Sequence, residues 1–281
     1  MFLTAMAANP LAAELAGQQG IEITWVRWAV AASVPGMLSL LVVPFLIYRL
    51  YPPEITQTPE APALAQQRLQ EMGAMRRDEK ILLAVFVLLL TLWIVGGAIG
   101  INATTTAMVG VAAMLASGAL AWNDILEERS GWDTLIWFAV LVMMASQLGQ
   151  LGLLDWFTGQ VSTLLGDSHW LTAFLSLSLI YFYSHYFFAS NTAHVSAMYA
   201  PFLALALAVG TPPLLAALLL AFFSNLFASM THYGTAAAPI LFGSGNVEIG
   251  TWWKLGAIIS VVNISIWLGV GSLWWNLLGL W

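Results

Sequence analysis

The side chains able to do chemistry gather in two places. Ser190-Asn191-Thr192, with His185 before it and His194 after it, sits between apolar arms at 170–188 and 195–208. Thr231-His232-Tyr233-Gly234-Thr235 is followed by Pro239 and Gly243-Ser244-Gly245, and the apolar run from 213 that precedes it is polar only at Ser224, Asn225 and Ser229. Ser, Asn and Thr are favoured helix N-caps, so an arm starting at 190–192 exposes backbone N–H groups and a partial positive charge, which suits an anion. Imidazole titrates near neutrality, so His185, His194 and His232 could carry part of the charge that neutralises a bound dianion. All 14 acids lie in loops or near the ends of predicted spans, whereas proton relays and cation paths usually place carboxylates in mid-membrane. A polar centre of amide, hydroxyl and imidazole is therefore read as a receptor for negative charge.

Blander roles fit single residues. The triplet alone could cap a helix, and a lone intramembrane histidine is often a hydrogen-bonded packing residue. The histidines do not form a metal site, because no two share a helical i, i+3 or i, i+4 spacing and no carboxylate is close in sequence. Gly243-Ser244-Gly245 lacks the strand and Lys of a phosphate loop and reads as a helix end. Met143, Met144, Met198 and Met230 read as bundle packing. Absence of cysteine among the 281 residues excludes thiolate catalysis and Cys-ligated metals within the chain.

Only a lipid setting makes sense of the elements that must hold these groups. Sixty per cent of residues are apolar, 8% are charged and the mean hydropathy is +0.84, against about a quarter charged in an ordinary globular domain. Eight basic against 14 acidic residues, net −6, leave no basic nucleic-acid footprint. A bilayer core of about 30 Å takes about 20 apolar residues per helix, and apolar runs occur at 22–48, 81–100, 103–122, 134–149 and 255–275, with the interrupted stretch 170–247 between the last two. The fold class is an all-α polytopic membrane protein. Backbone breaks inside lipid survive only where protein or a watery cavity satisfies them, so 169–209 is read as a re-entrant hairpin and 210–250 as a broken helix whose half-helix ends point inward.

The remaining divisions are a span at 22–50, a linker with a short interfacial helix at 51–79, spans at 80–131, a span and outer interfacial stretch at 132–168, and a final span at 251–281. Leu64, Leu69, Met72 and Met75 give the linker its thin apolar stripe. Trp252-Trp253 and Trp274-Trp275 read as interfacial belts. Arg49, Arg68, Arg76, Arg77 and Lys80 put the 49–80 loop in the cytoplasm by the positive-inside rule. Counting on, Asp155 to Asp167 and the C-terminus lie outside; Arg27 alone is on the wrong side. Residues 2–10 read as the interior of a helix without a signal-peptide pattern, which predicts a fragment of a longer polypeptide.

At the two breaks the sequence resembles the divalent anion/sodium symporter family, in its branch of sodium-independent 2-oxoglutarate/malate and citrate/succinate exchangers. The similarity is carried by His185-Tyr186-Phe187-Phe188-Ala189-Ser190-Asn191-Thr192-Ala193-His194, by Thr231-His232-Tyr233-Gly234 with Phe242-Gly243-Ser244-Gly245, and by the ending from Trp267 to Trp281. The resemblance implies two inverted halves, each with one re-entrant hairpin and one broken helix, of which this chain holds one, with 1–21 as the end of the other half's broken helix. It implies that Ser190, Asn191 and Thr192 grip one substrate carboxylate, that His194, His232, Thr231, Gly234 and Thr235 complete this side, and that Asn9 and Thr4 belong to the other. It also implies a homodimer, a bacterial inner membrane, and C4 to C6 di- or tricarboxylate substrates such as malate, succinate, 2-oxoglutarate, citrate or tartrate, with no cofactor. Where the sodium-coupled branch has a Thr-Pro-Pro-Asn-like turn and a Thr four positions before the Ser, this chain has Thr231-His232-Tyr233-Gly234 and Tyr186. That departure favours exchange without sodium. A sodium- or proton-coupled symporter shares the architecture, and an intramembrane hydrolase would use Ser190 with His194, though no nucleophile turn or oxyanion motif accompanies them.

Overall fold

The computed structural model describes residues 2–153, 156, 159, 160, 169–235 and 237–281, and these form helices and no strand. Most of the stretch from Asp155 to Asp167, expected to face outward, lies outside the described residues. The chain divides into two compact units, Met1–Val43 with Thr134–Trp281, and Pro44–Asp133. Among the described residues, three helices are long and apolar enough to cross a bilayer: Trp25–Leu50, Arg77–Ile99 and Ile249–Leu277.

At the centre of the first unit is a helix that is apolar all round, as a buried helix should be. After α1 (Ala8–Gln18) and α2 (Trp25–Leu50), and past the second unit, α8 (Trp170–Tyr183) enters a hairpin. It tightens into a 3-10 turn at Ser184–Phe187, and the chain reverses through extended Phe188 and Ser190. The return arm is α9 (Asn191–His194), a π turn (Val195–Tyr199) and α10 (Ala200–Ala208). The π turn directly precedes Pro201, which has no N–H to close the helical bond to Ala197. Next comes the central helix, α11 (Pro213–Leu226), in which every residue from Leu215 to Ser224 is buried. Against it pack α1, α8 and α10.

The expected break follows. A 3-10 turn at Phe227–Ser229 leads into non-helical backbone from Thr231 to Thr235, and helix resumes as α12 (Ala237–Gly243). The unit closes with α13 (Ile249–Ser265), a π turn (Ile266–Gly271) and α14 (Ser272–Leu277).

One proline corrects the reading of Trp275. Pro35 lies inside α2, so the Ala31 carbonyl lacks its helical donor. The Trp275 indole N–H fills that place at 2.9 Å, Trp274 donates to Val30 at 2.8 Å, and Trp267 donates to the Ser39 hydroxyl at 3.0 Å. Trp275 is 0% exposed, so it is not an interfacial belt residue; it stitches the last helix to a proline break. Trp275→Phe in the full-length protein is expected to lower unfolding free energy by about 1–3 kcal/mol, the cost of an orphaned buried carbonyl. In a Pro35→Ala background, where a backbone N–H returns to Ala31, the loss should shrink to below about 1 kcal/mol, because the carbonyl then keeps a donor. Additive costs in a double-mutant thermal-unfolding cycle would contradict this pairing.

The second unit contains α3 (Ala61–Met72), α4 (Arg77–Ile99), α5 (Ala103–Ser117), α6 (Trp122–Glu127) and the first turn of α7 (Arg129–Gln150). The predicted run 103–122 is shorter as a helix, because Gly118 turns left-handed at φ 72° and stops it. The charged stretch from Asp124 to Asp133, between the apolar runs 103–122 and 134–149, is itself mostly helical, in α6 and the start of α7. Helices α4 and α5 pack as a hairpin: Asn102 caps α5 by accepting from the Thr105 N–H at 2.8 Å, and Gly110 makes room for Leu89, which would lie 2.7 Å from a Cβ there. Leu64, Leu69, Met72 and Met75 are exposed, as are Leu82, Leu83, Phe86 and Ile94 on α4.

Candidate functional site

The local physics at Ser190 is that of a cap. Its φ of −151° and ψ of 132° are extended, and its hydroxyl accepts from the Ala193 N–H at 3.4 Å. Asn191 takes the first helical position, 7% exposed, with its Oδ1 buried and unpartnered. Thr192 is half-buried and its carbonyl accepts from the Ser196 hydroxyl at 2.7 Å. One turn on, on the face of Asn191, His194 is 0% exposed. Its Nε2 meets the Ser184 hydroxyl at 2.8 Å, a bond across the hairpin, while Ser184 also donates to the Tyr181 carbonyl.

His185 reaches from the descending arm to the break. Its Nε2 lies 3.1 Å from the Gly234 carbonyl, and since a carbonyl only accepts, Nε2 carries the hydrogen. The ring stacks on Phe227 at 3.9 Å and stands 5.5 Å from the His194 ring. Gly234 is a close-approach glycine: a Cβ would fall 2.7 Å from both His185 Nε2 and Thr231 Oγ1. Thr231 is buried, with its hydroxyl unpartnered. The structure thus gathers His185, His194, Thr231 and Gly234 around the meeting of tip and break, with Asn191 one turn from His194. Four buried polar atoms there lack a partner: Asn191 Oδ1, His185 Nδ1, His194 Nδ1 and Thr231 Oγ1. Buried polar atoms are normally satisfied, so the cluster has unspent hydrogen-bonding capacity. A half-turn of the Asn191 amide exchanges its acceptor for a donor.

The other candidates have local partners. Thr235 accepts from the Ala238 N–H at 3.1 Å, capping α12. His232 turns toward α13: its Nδ1 accepts from the Trp253 indole at 3.2 Å, and it packs on Phe242 at 4.8 Å. Thr4 accepts from the Trp25 indole at 3.3 Å. Asn9 is 1% exposed, donates to the Phe2 carbonyl at 3.1 Å and accepts from Asn225 Nδ2 at 2.8 Å, tying α1 to α11. Among the described residues, no group of three His, Cys, Asp or Glu side chains is placed to hold a metal.

Sequence reasoning missed Ser184 and Gly256, and took Tyr233 only as part of the break at 231–235. Ser184 and His194 are ten residues apart and meet only because the chain reverses between them. Tyr233 donates to the Tyr186 carbonyl at 2.9 Å across 47 residues. Gly256 on α13 lies where a Cβ would be 2.7 Å from the Met230 carbonyl and 2.8 Å from that of Ser229. The glycine carries no sequence signal; the serine's polarity beside His185 was the one available hint.

Compared with known proteins, residues 1–281 match the family described as the sodium:sulfate symporter transmembrane region. YflS of Bacillus subtilis is 54% identical over 282 residues, covering 100% of this chain and 59% of that protein. Dicarboxylate transporter 1 of spinach (Spinacia oleracea) chloroplasts is 49% identical over 284 residues, 100% of this chain and 50% of its own. The inner membrane protein YbhI of Escherichia coli is 38% identical over 280 residues, 99% and 58%. The chain thus spans between 50% and 59% of the length of these relatives.

Proposed function

Because this chain belongs to the sodium:sulfate symporter family, that of the divalent anion/sodium symporters, we propose that it is part of a membrane transporter that exchanges C4 to C6 di- and tricarboxylates by alternating access. The observation that carries the reading is Asn191, which is buried at the start of the return arm with its amide oxygen unpartnered, so that a half-turn of the amide presents N–H donors to an anion there. Ser190, Asn191 and Thr192 bind one substrate carboxylate, using the N–H groups of the arm and the amide side chain. Thr231, Gly234 and Thr235 line the same side, and His185, His194 and His232 complete it. Asn9 and Thr4 lie toward a second site formed with a portion of the transporter beyond this chain. The spinach relative, named a dicarboxylate transporter, supports the substrate class.

The finer architecture follows the same reading. The hairpin is re-entrant, the halves are inverted repeats, the assembly is a homodimer in a bacterial inner membrane, and the 49–80 loop is cytoplasmic with the C-terminus outside. During transport the hairpin and broken helix move as a body against a scaffold containing residues 22–48 and 81–122. Counterflow in liposomes containing the full-length protein tests this. Labelled malate should enter only when unlabelled dicarboxylate is present inside, with or without sodium. Uptake that needs a sodium gradient would overturn exchange in favour of symport, and no carboxylate uptake under any condition would overturn the substrate class.

A further inference from the structure

We propose that two neighbouring pairs, His185-Tyr186 on the hairpin and Tyr233-Gly234 on the break, form a reciprocal latch that sets the register of the tip against the unwound segment. In this role His185 and Tyr233 are positioning residues for the carboxylate site. The inference rests on the transport reading given above.

The bonds run in both directions. From the hairpin, the His185 imidazole N–H donates to the Gly234 carbonyl at 3.1 Å; from the break, the Tyr233 hydroxyl donates to the Tyr186 carbonyl at 2.9 Å. Both carbonyls sit where helix has ended, Tyr186 in the 3-10 turn before the tip and Gly234 in the non-helical stretch. In apolar surroundings a main-chain carbonyl without a donor is costly, so each bond satisfies one strand of the site with a side chain of the other. Packing then fixes the donors. His185 is sandwiched on Phe227 at 3.9 Å with an 18° tilt, and Tyr186 stacks on Trp253 at 5.5 Å with a 26° tilt. Gly234 permits the approach, since any Cβ would collide with His185 Nε2. Ser184 completes the arrangement by holding His194, so the tip is clamped within itself and against the break.

A site assembled from two separately unwound strands must otherwise be ordered by its ligand, and that ordering weakens apparent affinity. The latch does the ordering beforehand. Tyr233→Phe removes one hydroxyl and leaves the ring. In full-length protein in liposomes it should raise the half-saturation concentration for malate about tenfold, the worth of one buried carbonyl losing its donor, with the maximal rate changed less than about twofold. His185→Leu should raise that concentration at least as much, since that ring also belongs to the proposed site; in the distance readout that follows, His185→Gln, which keeps an N–H donor, should stay near the wild-type width. A second readout does not need transport. This chain has no cysteine, so spin labels can be placed at Phe187→Cys and Ile240→Cys, which are 87% and 77% exposed, with any cysteine outside residues 1–281 replaced. The latch gives a narrow distance distribution between tip and α12, and Tyr233→Phe or His185→Leu should broaden it.

Unchanged half-saturation and unchanged width in both variants would overturn the latch, and so would His185→Gln broadening the distance distribution as much as His185→Leu. If the wild-type protein carried no dicarboxylate, the transport reading would fail separately, and the widths would still decide the latch: broadening upholds it, no change sinks it.

Discussion

Asn191→Asp in the full-length protein is expected to abolish dicarboxylate uptake while leaving the fold intact. The substitution is nearly isosteric, so packing of the 7% exposed side chain hardly changes. Its charge changes everything, because a carboxylate then faces the substrate carboxylate. Two like charges 4 Å apart repel by about 4 kcal/mol at an effective dielectric of 20, equivalent to roughly a thousandfold in affinity. Counterflow of labelled malate measures the loss, and thermal unfolding checks that the protein is still folded. Retained uptake would remove Asn191 from the site.

The second large effect lies behind the site rather than in it. Gly256 of α13 packs so closely on the break that a Cβ would meet the Met230 and Ser229 carbonyl oxygens at 2.7 and 2.8 Å. Both contacts are backbone, so neither can swing aside as a side chain would. Gly256→Ala should therefore push α13 off the unwound segment, at about 1–3 kcal/mol of unfolding free energy by the usual cost of overpacking. Malate exchange should fall with it, since the break forms one wall of the proposed site. Gly250→Ala on the same helix, with nothing within 4 Å, is the control and should change neither. A Gly256→Ala protein that melts and transports like wild type would show that the break does not depend on this contact.

Much of the fold around the site was legible because the chain announces its interruptions. Ser190-Asn191-Thr192 is a run of capping types between apolar arms, and a cap is what Ser190 becomes. Gly234 and the hydroxyls around it break an apolar run, and non-helical backbone is found there. The reading of Trp275 as an interfacial residue failed for a physical reason. An indole near a span end suits an interface, yet its N–H serves equally well as a donor to a carbonyl freed by proline, and only the fold brings Trp275 to Ala31. The end of α5 also went unread, because Gly118 is a stop only when it adopts φ 72°.

The partners of the histidines were harder to foresee. Spacing along the chain ruled out a metal pair but could not show that Ser184 meets His194, or that His185 meets Gly234 across 49 residues. Those contacts depend on how the hairpin and the break are docked. Tyr233 meets Tyr186 in the same way, across 47 residues.

The most direct test is a structure of the full-length protein with malate bound. One malate carboxylate should lie within about 3 Å of the Asn191 amide and of the first N–H groups of the return arm. Malate held elsewhere, with the Asn191 side chain turned away from it, would contradict the account.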